Sequence, residues 1–146
     1  MYPICESAPA GHMEGDVKNM TGHRRREIII SIHPGHVAKI FDGSKNYELR
    51  KSWPQYIDVP FRCYIYETLP GAGAVVGEFW ATCAEATKDH VRLSEAANIS
   101  MIDTLNYLGC QPGYLWAIEN PIKYDKPVDL EAFDLERPPQ SWQYIY

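Results

Sequence analysis

The chain has 146 residues, and its hydrophobic fraction of 45% is enough for one domain with an ordinary core. Its 14 basic and 19 acidic side chains give a formal net charge of −5, which disfavours a broad basic face for duplex DNA. No apolar run reaches the roughly 18 residues of a membrane span, and the first residues lack the apolar core of a secretory signal. We therefore predict a cytoplasmic protein with no membrane partner.

The first elements follow from composition and from helix-capping residues. Residues 1–26 show no hydrophobic periodicity and predict a flexible leader, part of which could be vector-derived, so the domain is expected to span 27–146. The β-branched run 28–32 predicts a buried strand. A helix then begins at Pro34, where the missing N–H costs nothing, and ends at Gly43, which suits a left-handed C-terminal position.

The remainder of the chain is dominated by short strands. Gly77 is expected to mark a bulge or a close backbone approach, and Ser94 and Ser100 are candidate helix caps. The fold class is therefore predicted to be α+β: a small mixed β-barrel with two or three helices packed at its openings. The predicted later strands cover 47–51, 61–68, 74–84, 114–119 and 122–130, and a helix is expected from about 100 to 108.

Cysteine and histidine spacing does not indicate a metal centre. The cysteines show neither CxxC pairing nor regular spacing, so neither a zinc site nor a disulfide framework is predicted. His33 and His36 suit a metal at i, i+3, but no third ligand is spaced convincingly, and we expect no metal and no cofactor. Three of the cysteines are expected to be small buried hydrophobic residues in a reducing compartment: Cys63, Cys83 and Cys110.

The most informative segment is 43–50, which reads Gly-Ser-Lys-Asn-Tyr-Glu-Leu-Arg. If its second half is a strand, the period of two places Glu48 and Arg50 on the same face, with Lys45 close by. Each charge would be costly to bury alone and tolerable if paired. The segment is therefore either a structural ion-pair cluster or the floor of a recognition site.

Residues 29–34 read Ile-Ile-Ser-Ile-His-Pro, and residues 40–51 contain the segment just described. Together they resemble the ASCH domain of the PUA-like superfamily, whose signature is Gly-x-Lys-x-x-Glu-x-Arg. The signature positions are Gly43, Lys45, Glu48 and Arg50. Further similarity follows in order at 74–79, 113–118 and 138–142, the last as in a bacterial and phage subset, so that the resemblance covers roughly 27–146.

This resemblance implies a PUA-like barrel with a cleft beside the signature and a nucleic-acid role, chiefly with RNA. One branch of the family removes acyl groups from modified cytidine nucleosides with a lysine, a threonine and a glutamate. Lys45 falls at the lysine, but Glu48 stands at the threonine, so the nucleophile of that branch is missing. The family's glutamate could correspond to Glu85 or Glu95. Another relative has been assigned ribonuclease activity.

We accordingly predict a module that binds RNA or a nucleotide-like small molecule at the signature. Lys45 and Arg50 would meet phosphate or a carbonyl, and Glu48 would accept from a base edge or fix Arg50. Aromatic rings would stack on bases. The candidate rings are Trp53, Tyr66, Trp142 and Tyr144.

The alternative is a hydrolase acting on a modified nucleoside or RNA, either amidohydrolase-like or ribonuclease-like. Its candidate catalytic residues would be Lys45, Glu48 and Glu78, with the carboxylates as acid or base. Binding is favoured over catalysis because no activated nucleophile is evident. A protein-interaction module, with the acidic run 125–136 as its surface, is a third class. The oligomeric state is left open.

Overall fold

The structure, a computed structural model, describes residues 25–146. The predicted leader, residues 1–26, lies outside the described part of the chain except for its last two residues. The first strand starts at Glu27 and includes the run of β-branched residues at 28–32.

Six strands form one mixed sheet in the order β2-β5-β4-β3-β1-β6, which curls into a half-barrel. Only β1 and β3 run parallel, and every other neighbouring pair is antiparallel. The sheet is open between its edge strands, β2 and β6. The strands are β1 (Glu27–Ile32), β2 (Tyr47–Arg50), β3 (Phe61–Glu67), β4 (Ala74–Thr87), β5 (Gly113–Val128) and β6 (Trp142–Ile145).

Three helices pack against the sheet, and side-chain caps begin each of them. The ring of His33 accepts from the N–H of Gly35, and Ser100 accepts from the N–H of Asp103, as its predicted capping role requires. Ser94 is not a cap, because the second helix begins one turn earlier at Asp89. The helices are α1 (Pro34–Asp42), α2 (His90–Ala97) and α3 (Met101–Leu108), and a short 3-10 helix covers Leu130–Phe133.

The predicted α+β class is confirmed, with one difference in the strands. The two strands predicted at 114–119 and 122–130 are one continuous strand, β5. Asn120 takes a positive φ of 49° there, and register shifts against β4 absorb the irregularity without breaking the pairing.

The main core is built from aromatic, β-branched and other apolar side chains of the strands and of α1. A Cβ atom at Gly77 would meet the carbonyl of Ile122 and the ring of Phe41, which confirms the predicted close approach at this position. Phe41 is held there because α1 lies against the same core. The core centres on Ile28, Ile30, Phe61, Phe79 and Trp116, all fully buried.

The cysteines do not all behave as predicted. Cys63 is a buried free thiol, as expected, and burial raises its pKa well above the usual value. Cys110 is exposed because it follows Gly109 in the turn that ends α3. Cys83 is buried but disulfide-bonded, so the expectation of no disulfide is wrong at this position.

Within 25–146, no group of three or more His, Cys, Asp or Glu side chains could hold a metal ion. In the same residues, no helix combines the length and apolarity needed to cross a membrane.

Candidate ligand-binding site

A cavity of about 270 Å³ lies where the start of α1, the end of β2 and one face of α3 meet. Ile32, Leu49 and Ile99 give it apolar walls. The polar lining comes from three different elements, which is typical of a site assembled by the fold. The main polar lining residues are His33, His36, Glu48, Arg50, Asp103 and Tyr107.

Glu48 and Arg50 share one face of β2 and contact each other directly. Arg50 places Nε 3.2 Å and Nη2 3.1 Å from Oε1 of Glu48. Both residues are almost fully buried, at 5% and 8% exposure. The pairing compensates both charges where water is excluded, which is the condition for tolerating buried ions.

Arg50 also connects the two open edges of the half-barrel. Its Nη2 donates to the carbonyl of Ser31 on β1 at 2.6 Å, and its Nη1 donates to Oγ of Ser141 at 3.1 Å. Ser31 in turn donates its N–H to the carbonyl of Ser141 at 2.9 Å, and its Oγ to the carbonyl of Pro139 at 2.6 Å. The guanidinium therefore holds β2 to β1 and to the segment before β6.

Lys45 lies on the other side of Glu48 and does not belong to the cavity lining in the described part of the chain. It is 1% exposed, and its Nζ donates to the carbonyl of Ala97 at the end of α2 at 2.5 Å. The same Nζ lies 3.9 Å from Oε2 of Glu48. Burial lowers the pKa of Lys45, and the charge of Glu48 partly offsets that effect.

Two buried polar atoms of the cavity residues have no hydrogen-bond partner within residues 25–146. They are Oε2 of Glu48 and Nδ1 of His36. Buried polar atoms in folded proteins rarely lack a hydrogen-bond partner, so these two atoms need a physical explanation. Burial, and next the charge of Lys45, lower the pKa of His36. The imidazole is therefore neutral at neutral pH, with one donor and one acceptor nitrogen.

The predicted stacking rings are not brought to the cavity. Trp53 is 5% exposed and packs in the core, with its ring centroid 5.1 Å from those of Phe61 and Trp116. Tyr66 is 7% exposed and packs in a separate cluster. Trp142 is half-buried, and its Nε1 donates to Oγ of Ser52 at 3.0 Å.

The two carboxylates predicted as possible catalytic partners of Lys45, Glu78 and Glu85, contact other residues instead. Glu78 accepts from the hydroxyl of Tyr124 at 2.8 Å and lies 3.2 Å from Nε of Arg62. Glu85 pairs with Arg92 at 3.0 Å on the surface. The structure thus brings Lys45 and Glu48 together, whereas Glu78 and Glu85 pair with other residues.

Sequence reasoning missed the contribution of α3. In the sequence, Asp103 stands three residues after Ser100 as a near-match to a capping box, and no motif singles out Tyr107. The two residues are four apart, which places them on one face of a helix. This spacing is the only local signal in the sequence that relates one to the other. Tyr107 is 39% exposed, and the ammonium of Lys51 lies 4.9 Å from its ring centroid. Burial raises the pKa of Tyr107.

Comparison with known proteins identifies the fold. No protein-family model and no curated protein matches the chain. The ASCH protein of Zymomonas mobilis is 24% identical, with a TM-score of 0.68 over 82% of this chain and 87% of that one. Two mutant forms of that protein give TM-scores of 0.71 and 0.69, at 22% and 23% identity, over 84% of this chain and 89% and 91% of theirs. The chain has the ASCH fold, as the signature resemblance predicts.

Proposed function

We propose that this chain is an RNA- or nucleotide-binding module whose cavity receives one base of the ligand. The observation that carries the proposal is the buried Oε2 of Glu48, which has no hydrogen-bond partner in the described residues and belongs to a cavity-lining side chain. An ionised carboxylate is purely an acceptor. A ligand whose N–H group reaches this oxygen would supply the missing hydrogen-bond donor.

The size and walls of the cavity fit a small, flat, partly polar group. Its volume of about 270 Å³ lies just below the roughly 300–1,000 Å³ of typical small-molecule sites. A single base with part of its sugar is of this scale, and a folded oligonucleotide is not. Leu49 and Ile99 supply apolar contact, and the ring of Tyr107 offers an aromatic wall.

In this proposal the three charged signature residues have different tasks. Glu48 contacts the ligand. Arg50 and Lys45 hold the carboxylate in place from two sides, and each also contacts a backbone carbonyl of a neighbouring element. The sequence-based role of Lys45 as a direct phosphate contact is thereby replaced by a positioning role. With a net charge of −5, affinity depends on local contacts, and few phosphates are contacted.

Substitution of Glu48 by Gln tests the proposal. The probes are fluorescein-labelled single-stranded RNA hexamers of each base and the four free nucleosides. Glu48→Gln removes the charge but keeps the shape, and we expect binding about tenfold to a hundredfold weaker, the scale of one charge-assisted hydrogen bond. Glu119→Gln removes an exposed carboxylate of β5 and is the matched control.

Two outcomes would contradict the proposal. One is a wild-type protein that binds none of the hexamers or nucleosides at millimolar concentration. The other is Glu48→Gln binding with wild-type affinity while thermal unfolding shows it folded. The hydrolase alternative is tested by incubating the protein with N-acylated cytidine and with the same RNAs. Turnover by the wild type that is lost in Lys45→Ala would show that the chain is a hydrolase rather than a binding module.

A cytoplasmic location belongs to the same proposal, since RNA and nucleotides are abundant in the cytoplasm.

A further inference from the structure

We propose that a strip of aromatic and cationic side chains leads from the cavity to the end of the chain and holds single-stranded RNA. This inference rests on the proposed function and extends it, because it makes the natural ligand a strand rather than a free nucleoside. The aromatic–cationic strip consists of Tyr107, Lys51, Trp142, Tyr144, Arg26 and Tyr146.

The strip begins at the cavity itself. Tyr107 lines the cavity but remains 39% exposed, so its ring belongs to both the cavity wall and the outer surface. The ammonium of Lys51 lies 4.9 Å from the centroid of that ring. Lys51 directly follows Arg50, so a cation stands beside the cavity as soon as β2 ends. A phosphate next to a base in the cavity would meet this charge.

The middle of the strip is built on β6. Residues two apart on a strand share a face, which places Trp142 and Tyr144 side by side. Their ring centroids are 5.5 Å apart and nearly perpendicular. Nε1 of Trp142 donates to Oγ of Ser52 at 3.0 Å, and Ser52 is the neighbour of Lys51 in the chain. This hydrogen bond connects the cavity end of the strip to its middle.

The far end combines an arginine with two tyrosines. The guanidinium carbon of Arg26 lies 5.7 Å from the ring centroid of Tyr144 and 5.6 Å from that of Tyr146. Nη1 of Arg26 donates to the carbonyl of Tyr56 at 2.6 Å, which fixes the side chain over the rings. The side chain of Arg25 is held nearby in the same way, donating to the carbonyl of Asp58 at 3.2 Å.

The chemistry of the strip fits a single strand better than other partners. Base stacking on aromatic rings and phosphate contacts with cations are the two interactions that hold single strands without sequence preference. Tyr146 is 73% exposed, and Tyr56, whose carbonyl accepts from Arg26, is 71% exposed, so rings are accessible at the far end. The rest of the surface carries a net negative charge, which repels a polyanion and confines it to the cations of the strip.

The dependence of affinity on RNA length tests the inference. Labelled single-stranded RNAs of one, three, six and nine nucleotides are titrated by fluorescence anisotropy. We expect affinity to rise with length up to about six nucleotides, since one binding fold of this size commonly covers about 4–16. Arg26→Ala and Tyr146→Ala should each weaken hexamer binding about tenfold, the loss of roughly one stacked base, and leave mononucleotide binding unchanged.

The controls separate this inference from the proposed function. Arg137→Ala removes an exposed arginine outside the strip and should leave every affinity unchanged. Equal affinity for mononucleotide and hexamer, or full hexamer affinity in Tyr146→Ala, would overturn the strip while the cavity proposal stands. If Arg26→Ala and Tyr146→Ala weaken hexamer binding while Glu48→Gln binds with wild-type affinity, the cavity proposal is wrong and the strip proposal stands. Binding of duplex RNA as tight as that of the single strand would overturn the single-strand assignment.

Discussion

Replacing Lys45 by Met tests how the buried charges at the signature are held. Met keeps most of the length of the side chain and removes the ammonium. In the protein that ammonium donates to the carbonyl of Ala97 at 2.5 Å and lies 3.9 Å from Oε2 of Glu48. The substitution therefore removes one hydrogen bond to α2 and one of the two cations that face the carboxylate.

The expected loss of unfolding free energy is about 2–3 kcal/mol. A hydrogen bond from a charged group contributes roughly 1.5–3 kcal/mol. Breaking a buried ion pair completely costs about 3–5 kcal/mol, but Glu48 keeps its contact with Arg50, so only part of that cost applies. The substitution also removes the free-energy cost of burying the ammonium, and this acts in the opposite direction.

Urea unfolding of the wild type and two variants measures this loss. Lys39→Met is the matched control, because Lys39 also donates to a carbonyl of the same region, that of Asn98 at 2.9 Å, but at an exposed site. We expect that control to lose less than about 0.5 kcal/mol. A loss below 0.5 kcal/mol in Lys45→Met would refute the argument that the ammonium stabilises this corner.

The sign of the pH dependence gives a second test of Lys45. Folding lowers its pKa below the usual 10.5, so the unfolded chain binds more protons than the folded chain in the window between the two values. Unfolding free energy then rises with pH across that window, and this contribution is absent in Lys45→Met. The deficit of the variant should widen as the pH rises towards 10.5. A deficit that shrinks would mean that attraction to Glu48 outweighs desolvation.

Three further outcomes are expected. Arg50→Lys should lower the unfolding free energy by about 2–4 kcal/mol in urea titrations, since an ammonium cannot reproduce the guanidinium contacts that join β2 to β1. Because folding lowers the pKa of His36, the wild type should lose stability as the pH falls below about 6.5, and His36→Gln should lose less over the same range. Gly77→Ala should unfold about 1–3 kcal/mol more easily, because its Cβ would collide with backbone at Ile122; an unchanged melting temperature would contradict the close approach.

The sequence by itself determined the local features of the protein. The start of α1 at Pro34, its end at Gly43 and the cap at Ser100 depend on residues within one turn, so they could be read directly. The shared face of Glu48 and Arg50 followed from the two-residue period of a strand. The signature resemblance also indicated the fold, which the likeness to the ASCH structures confirms.

Only the tertiary structure decided which partners those residues meet. The contact of Arg50 with Ser141 spans 91 positions, and that of Lys45 with Ala97 spans 52. Such pairings depend on how the elements pack, which no local pattern encodes. The same reason explains Trp53: it lies between β2 and β3, where no strand period applies, and only tertiary packing against Phe61 and Trp116 decided that it fills the core. Packing likewise placed Tyr107 of α3 beside the signature, where the candidate site forms.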